Sequence, residues 1–223
     1  MTVLHLADEG EAADLAAFLS RLLHYDRGAA VRLQAAGTAL AVFGRPPSFE
    51  VLAIRAVRLA KPYENGLDVT LDATVSAGEL LESVDEPAAT AVVPGAVTGP
   101  PWAGVLPPRG GWKAEPGLPA PDALRAVVGA VVAEFRDRTE QLGPESRTRA
   151  ELDRVGREIW SRTVGGTPLP VRAVHAAQSL GFLRATTRDL ALLSCGAWLR
   201  LRTPYGSIAV RRAGLGAFGV SVR

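Results

Sequence analysis

The chain has a single cysteine, Cys195, so no intramolecular disulfide can staple it and its stability must come from a packed core. Lysine is almost missing: Lys61 and Lys113 are the only lysines, and arginine supplies the remaining positive charge. Together with abundant Ala, Gly, Pro and Val, this bias points to a bacterial genome of high GC content and weakens arginine richness as a functional signal. His5, His24 and His175 stand far apart, and none has a second His or Cys at ligand spacing, so no metal site is expected. Apolar runs are short, and the longest, around 123–132, contains Arg125, so no membrane partner is expected. The N-terminus turns acidic at Asp8 and Glu9 with no basic region before them, unlike a secretory signal. These absences predict a cytoplasmic protein in a reducing compartment.

Catalytic signatures are missing too. The chain contains no phosphate-binding P-loop, nucleophile elbow or HExxH metal motif. Gly214, Gly216 and Gly219 match G-x-G-x-x-G in letters, but only four residues follow, too few for the helix and acidic residue that a dinucleotide site needs. Cys195 follows an apolar pair and has no base nearby in sequence, which reads as a small buried side chain rather than a nucleophile. Asp85 and Glu86, adjacent before Pro87, read as a solvated turn rather than an acid–base pair. No catalytic residue, cofactor or metal is assigned, and a non-enzymatic protein is expected.

What is present is organised around one stretch. Between Val97 and Trp112 lie Pro100, Pro101, Pro107 and Pro108, interleaved with Gly99, Gly104, Gly110 and Gly111. Proline removes a donor and glycine frees φ, so the stretch is expected to be neither helix nor regular sheet. Trp102 and Trp112 are too large and apolar for a free linker. They are expected to pack onto the fold, with Trp102 substantially buried, or to present a partner-binding surface. Charge divides near the same region. Of the net charge of +2 over 223 residues, residues 1–143 carry −6 and residues 144–223 carry +8. Such asymmetry hints at an electrostatic partner for one half, or at attraction between the halves, with Arg200 and Arg202 meeting acids of the first.

Hydrophobic period changes along the chain. Asp8 and Glu11 form a capping box before Leu15, Phe18, Leu19 and Leu22, predicting a helix over 9–24. Strands are expected over 29–34, 38–43, 49–59 and 67–75, with a bulge, or the strand's emergence from the sheet, near Arg55 and Arg58, whose parities conflict. In the last of these strands, Asp72 and Thr74 are expected to face water. Ser76 and Glu79 cap a short helix, and Thr90–Val93 suggests an edge strand. Helices follow over 122–141, 146–162 and 171–180, then a fourth capped by Thr186 and Asp189 and running to about Ser194. A hairpin of Trp198–Arg202 and Ser207–Arg212 turns at Pro204. The fold class is therefore α+β: an N-terminal antiparallel meander with flanking helices (1–95), a Pro/Gly/Trp connector (96–117), and a separately packed helical part ending in a basic hairpin and Gly-rich tail (118–223).

The order of elements in the last third resembles a winged helix-turn-helix. That resemblance implies a helix in the major groove of duplex DNA and hairpin arginines on phosphates. The residues it brings forward are Arg147, Arg149, Arg154, Arg157, Arg172, Arg200, Arg202, Arg211 and Arg212, with Tyr205 at the turn. Against it, the segment in the recognition position is apolar and carries Asp189, which repels phosphate. The expected function is nucleic-acid binding or regulation through this basic part, with duplex DNA as the partner. The alternative is a protein partner held at Trp102 and Trp112, the basic face being structural.

Overall fold

A computed structural model describes residues 2–60 and 71–212. The predicted stripe of Leu15, Phe18, Leu19 and Leu22 is the buried face of α1 (Glu9–Tyr25), and the Asp8 carboxylate accepts from the Glu11 backbone N–H at 2.9 Å. Before α1 lies a short strand, β1 (Val3–His5), which the sequence reading missed. Then come β2 (Ala30–Ala36), β3 (Ala39–Gly44), β4 (Leu52–Arg58), β5 (Asp72–Ser76), α2 (Ala77–Glu82) and β6 (Thr90–Val92). Beyond the connector follow β7 (Lys113–Glu115), α3 (Pro121–Glu140), α4 (Arg149–Trp160), α5 (Val171–Ser179), β8 (Ala191–Cys195), β9 (Trp198–Thr203) and β10 (Gly206–Arg211). The fold is α+β, as expected.

Eight strands form one antiparallel sheet in the order β5-β2-β3-β4-β10-β9-β8-β7, and β1 pairs with β6 in a separate small sheet. The join is β4 with β10, where Ala53 faces Ile208. This corrects the expectation of two separately packed parts, since strands from both sides of the connector share one sheet. The reason lies in β4. Val51, Leu52, Ala53 and Ile54 are all buried, so the strand is covered on both faces and belongs in the middle of a sheet.

Of the two expectations for β4, the bulge is corrected, while the strand does end at an exposed Arg58. β3 and β4 pair without interruption from Ala39–Arg58 to Gly44–Ala53. Arg55 lies on the helix-covered side because its guanidinium donates there to Glu11 at 2.9 Å and to the Tyr205 carbonyl at 2.8 Å. Asp14 stands 3.3 Å from it. Arg58, at the strand end, reaches Glu11 and Asp8.

The fourth helix is not a helix. Residues 191–195 form β8, paired with β9 on one side and β7 on the other. The expected cap residues are engaged elsewhere, Thr186 with the Tyr205 hydroxyl and Asp189 3.8 Å from Arg202, so they do not form a cap. Pairing across two strands overrides the helical preference of an Ala-Leu-Leu run. The Gly214–Gly219 tail and residues 67–70 of an expected strand lie outside the described residues.

The sheet's two faces are packed differently. On the inner face Val31, Leu33, Val42, Leu201, Ile208 and Val210 join the helices in one large core. On the outer face Phe43, Leu52, Ile54 and Ala209 form a smaller cluster under Trp102, Leu106 and Trp198. The connector supplies Trp102 and Leu106 of this cover, and β9 supplies Trp198. The connector leaves β5 through the Val97 N–H to Thr74 carbonyl bond and makes a single 3-10 turn at Pro101–Gly104. Arg32 donates to the Ala103 carbonyl at 2.9 Å, holding it down. Thr74 is therefore buried under Gly99 instead of facing water.

Candidate functional site

Where the connector's apolar cover ends, the outer face of β8–β10 carries arginines and tryptophans. Strand register places them. On β9, Trp198, Arg200 and Arg202 share a parity opposite to that of buried Leu199 and Leu201. Directly across from Arg200 stand Ala209 and Leu193; across from Arg202, Ser207 and Ala191; across from Trp198, Arg211 and Cys195. On the β10 side the neighbour is the small Ala209, which leaves the guanidinium of Arg200 room there.

The connector completes the face from above. Gly111 takes a left-handed φ of 77°, which favours glycine there, and its Cα sits over the Cys195 thiol. That thiol lies 3.5 Å from the Gly110 carbonyl. The turn delivers Trp112, whose indole N–H donates to the Pro108 carbonyl at 3.0 Å. Its ring lies 5.8 Å from the Arg200 guanidinium, and Arg211 lies 5.3 Å from the Trp198 ring. Both are cation–π distances.

Electrostatics single out Arg200. Burial first, and the neighbouring Arg202 guanidinium second, hold its pKa below the usual arginine value. Its Nε is buried without a hydrogen-bond partner, and no ion pair reaches it among the described residues. Arg202 has one carboxylate within reach, Asp189 at 3.8 Å. A guanidinium that is partly desolvated, unpaired and beside a like charge is unfavourable in isolation and is relieved when an anion arrives.

The other expected residues are dispersed. Arg147 is spent on the Thr139 carbonyl, and Arg154 on Glu151 and Glu158. Arg212 pairs with Glu115 at 2.8 Å. Tyr205 sits at the β9–β10 turn with Arg184 stacked 3.9 Å from its ring. Arg149, Arg157 and Arg172 meet at a groove on the helical side, away from the sheet face. Trp102 and Trp112 are each partly buried, and Trp102 packs on the outer-face cluster with only a minor part of its surface exposed. Attraction between the halves runs through Arg184–Asp14 at 2.7 Å, Arg162–Glu134 at 2.6 Å and Arg212–Glu115. The expectation that it would run through Arg200 and Arg202 is corrected: among the described residues Arg202 reaches only Asp189, in its own half. Trp198 was missed, although it shares the parity of Arg200 and Arg202 and the same alternation would have named it.

Residues 1–104 match the family described as "Domain of unknown function (DUF8010)", and residues 107–215 match "Domain of unknown function (DUF8185)". The two matches meet inside the connector, and each contributes four neighbouring strands to the single sheet. No curated protein and no solved structure matches the chain. No helix among the described residues is long and apolar enough to cross a membrane.

Proposed function

We propose that the protein is a non-enzymatic binder of single-stranded nucleic acid that takes the strand across the outer face of β8–β10. The observation that carries this reading is Arg200, an unpaired and half-buried guanidinium beside Arg202 and between Trp112 and Trp198. Arginines that attract phosphate, combined with aromatic rings on which bases stack, form the usual platform for single strands. Arg211 and Arg202 extend the positive charge along the strand path. Duplex DNA has less support, because the segment that would enter the major groove is strand β8.

The test is fluorescence anisotropy with random single-stranded and duplex oligonucleotides at several salt concentrations. The single strand should bind more tightly than the duplex. The Arg200→Ala/Arg202→Ala/Arg211→Ala variant should lose affinity, and the log–log salt slope should shrink by about 0.7 for each phosphate contact removed. Equal binding by wild type and variant would reject the assignment. A protein partner at the connector is the second reading, supported by Val97 and Val105, which are 41% and 46% exposed beside Trp102. It requires partner binding that ignores salt and the arginine variant.

A further inference from the structure

A second site stands on the helical side of the sheet and does not depend on the nucleic-acid reading. Between α4, α5 and the turn at Pro47–Phe49 lies a groove of about 1020 Å³. One wall is a chain of rings: Phe135 stands 5.9 Å from Trp160, Trp160 stacks on His175 at 4.6 Å, and His175 meets Phe49 edge-on at 5.1 Å. Burial holds the His175 pKa below its ordinary value, so this wall is uncharged at neutral pH. Phe49 is followed by Glu50 in the left-handed region at φ 53°, an uncommon position for a side-chain-bearing residue, and one that falls at the groove rim.

The groove's charge is specific in amount. Arg149, Arg157 and Arg172 face Glu50 and Asp153, leaving one positive charge in excess. Arg149 is within 3.9 Å of Asp153, whereas neither Arg157 nor Arg172 has a carboxylate partner among the described residues. The Arg172 Nε is buried and without a hydrogen-bond partner.

Gly156 is the third observation. It sits inside α4, where glycine is less favourable than alanine. Packing does not demand it: a Cβ there would stand 3.5 Å from Trp160 and 3.7 Å from Phe135, ordinary contact distances. A side chain would instead fill the space between those two rings. The missing side chain keeps the apolar wall open.

We propose that this groove binds a small amphipathic monocarboxylate, its apolar body against Phe49, Phe135 and Trp160 and its head on Arg157 and Arg172. A single net positive charge suits a monoanion better than a phosphate dianion, and guanidinium matches a carboxylate in two parallel hydrogen bonds.

The experiment is calorimetric titration of the full chain with 2-naphthylacetate and with its uncharged amide. The acid should bind about tenfold or more tightly than the amide, the difference expected for charge-assisted hydrogen bonds. Arg172→Gln should bring the acid down to the amide's affinity. Gly156→Ala should weaken both ligands while its melting temperature stays level or rises, which separates a filled groove from a damaged fold. The Arg200→Ala/Arg202→Ala/Arg211→Ala variant should bind naphthylacetate as wild type does, so failure here and failure of the nucleic-acid reading remain distinguishable. The proposal is overturned by no heat from wild type at millimolar acid, by equal binding of acid and amide, by wild-type affinity in Gly156→Ala or Arg172→Gln, or by loss of binding in the triple variant.

Discussion

The two faces of the eight-stranded sheet are made from the same strands, yet they have different work. Alternate residues of β9 show the contrast most sharply: Leu199 and Leu201 are buried under the helices, while Arg200 and Arg202 look the other way. The inner face is mostly apolar and covered by helices, and its buried Arg55 is paired with Glu11 and Asp14. The outer face is divided. Over β3, β4 and the adjoining part of β10 the connector covers an apolar patch; over β8 and β9 it stops at Trp112 and leaves arginines beside it. Covering is thus a matter of how far the connector runs, and the uncovered part is where unsatisfied charge collects.

Neighbouring substitutions break this comparison most directly. Leu201 is fully buried, so Leu201→Ala should cost about 2–5 kcal/mol in chemical denaturation. Arg200→Met, one residue earlier, should leave stability unchanged or raise it, because it removes an unpaired, partly desolvated charge. Equal losses at the two positions would mean that Arg200 is a structural residue. Trp102 tests the covered part of the outer face. Partly buried, it should lose somewhat less on replacement by alanine than the about 3–5 kcal/mol that deleting a fully buried large aromatic ring costs.

The smallest effect belongs to the ion pairs on the outer surface of α3 and α4, which contrast with the unpaired Arg200. Hydrogen bonding from Arg138, with Arg162 and Arg154 nearby, lowers the Glu158 carboxyl from 4.5 to about 2. A depressed carboxyl stabilises the fold above its unfolded value and loses that contribution as pH falls through its folded one. The Glu158 contribution should therefore be intact above about pH 4.5 and gone near pH 2. Carbon-detected titration of the Glu158 side chain should give a midpoint near 2, moving up in Arg138→Gln. Because the pair is exposed to solvent, the accompanying change in stability should be slight.

Local chemistry made much of the fold legible. The caps at Asp8 and Ser76, the amphipathic stripes of α1 and α3–α5, and the hairpin turning at Pro204 follow from spacing and from turn residues. What was hidden depended on distant pairing. Arg55 and Arg58 read as a parity conflict, and only distant partners resolve it: Arg55 is buried against Glu11 and Asp14 while the connector covers Leu52 and Ile54 on the other face. β8 reads as a helix because its Ala-Leu-Leu run favours one and Thr186 with Asp189 imitates a cap; only β7 and β9 on either side make it a strand. The site was half legible. Alternation on β9 placed Arg200 and Arg202 on one face, but nothing local could tell that Trp112, far back in the chain, closes over them. Nor could sequence separate the free arginines from Arg147, Arg154 and Arg212, which are occupied by partners from other elements.

The chain's four tryptophans mark its surfaces: Trp112 lies by Arg200 on the outer face, Trp198 lies by Arg211 at the edge of the apolar cluster that Trp102 also covers, and Trp160 lines the helical groove. Indole N–H signals in a nitrogen-15 correlation spectrum therefore report which surface a ligand meets. On titration with a random single-stranded oligonucleotide at low salt, the Trp112 and Trp198 signals should move together and Trp160 should stay in place. Movement of Trp160 alone, or of none of the four, would contradict nucleic-acid binding on the sheet face.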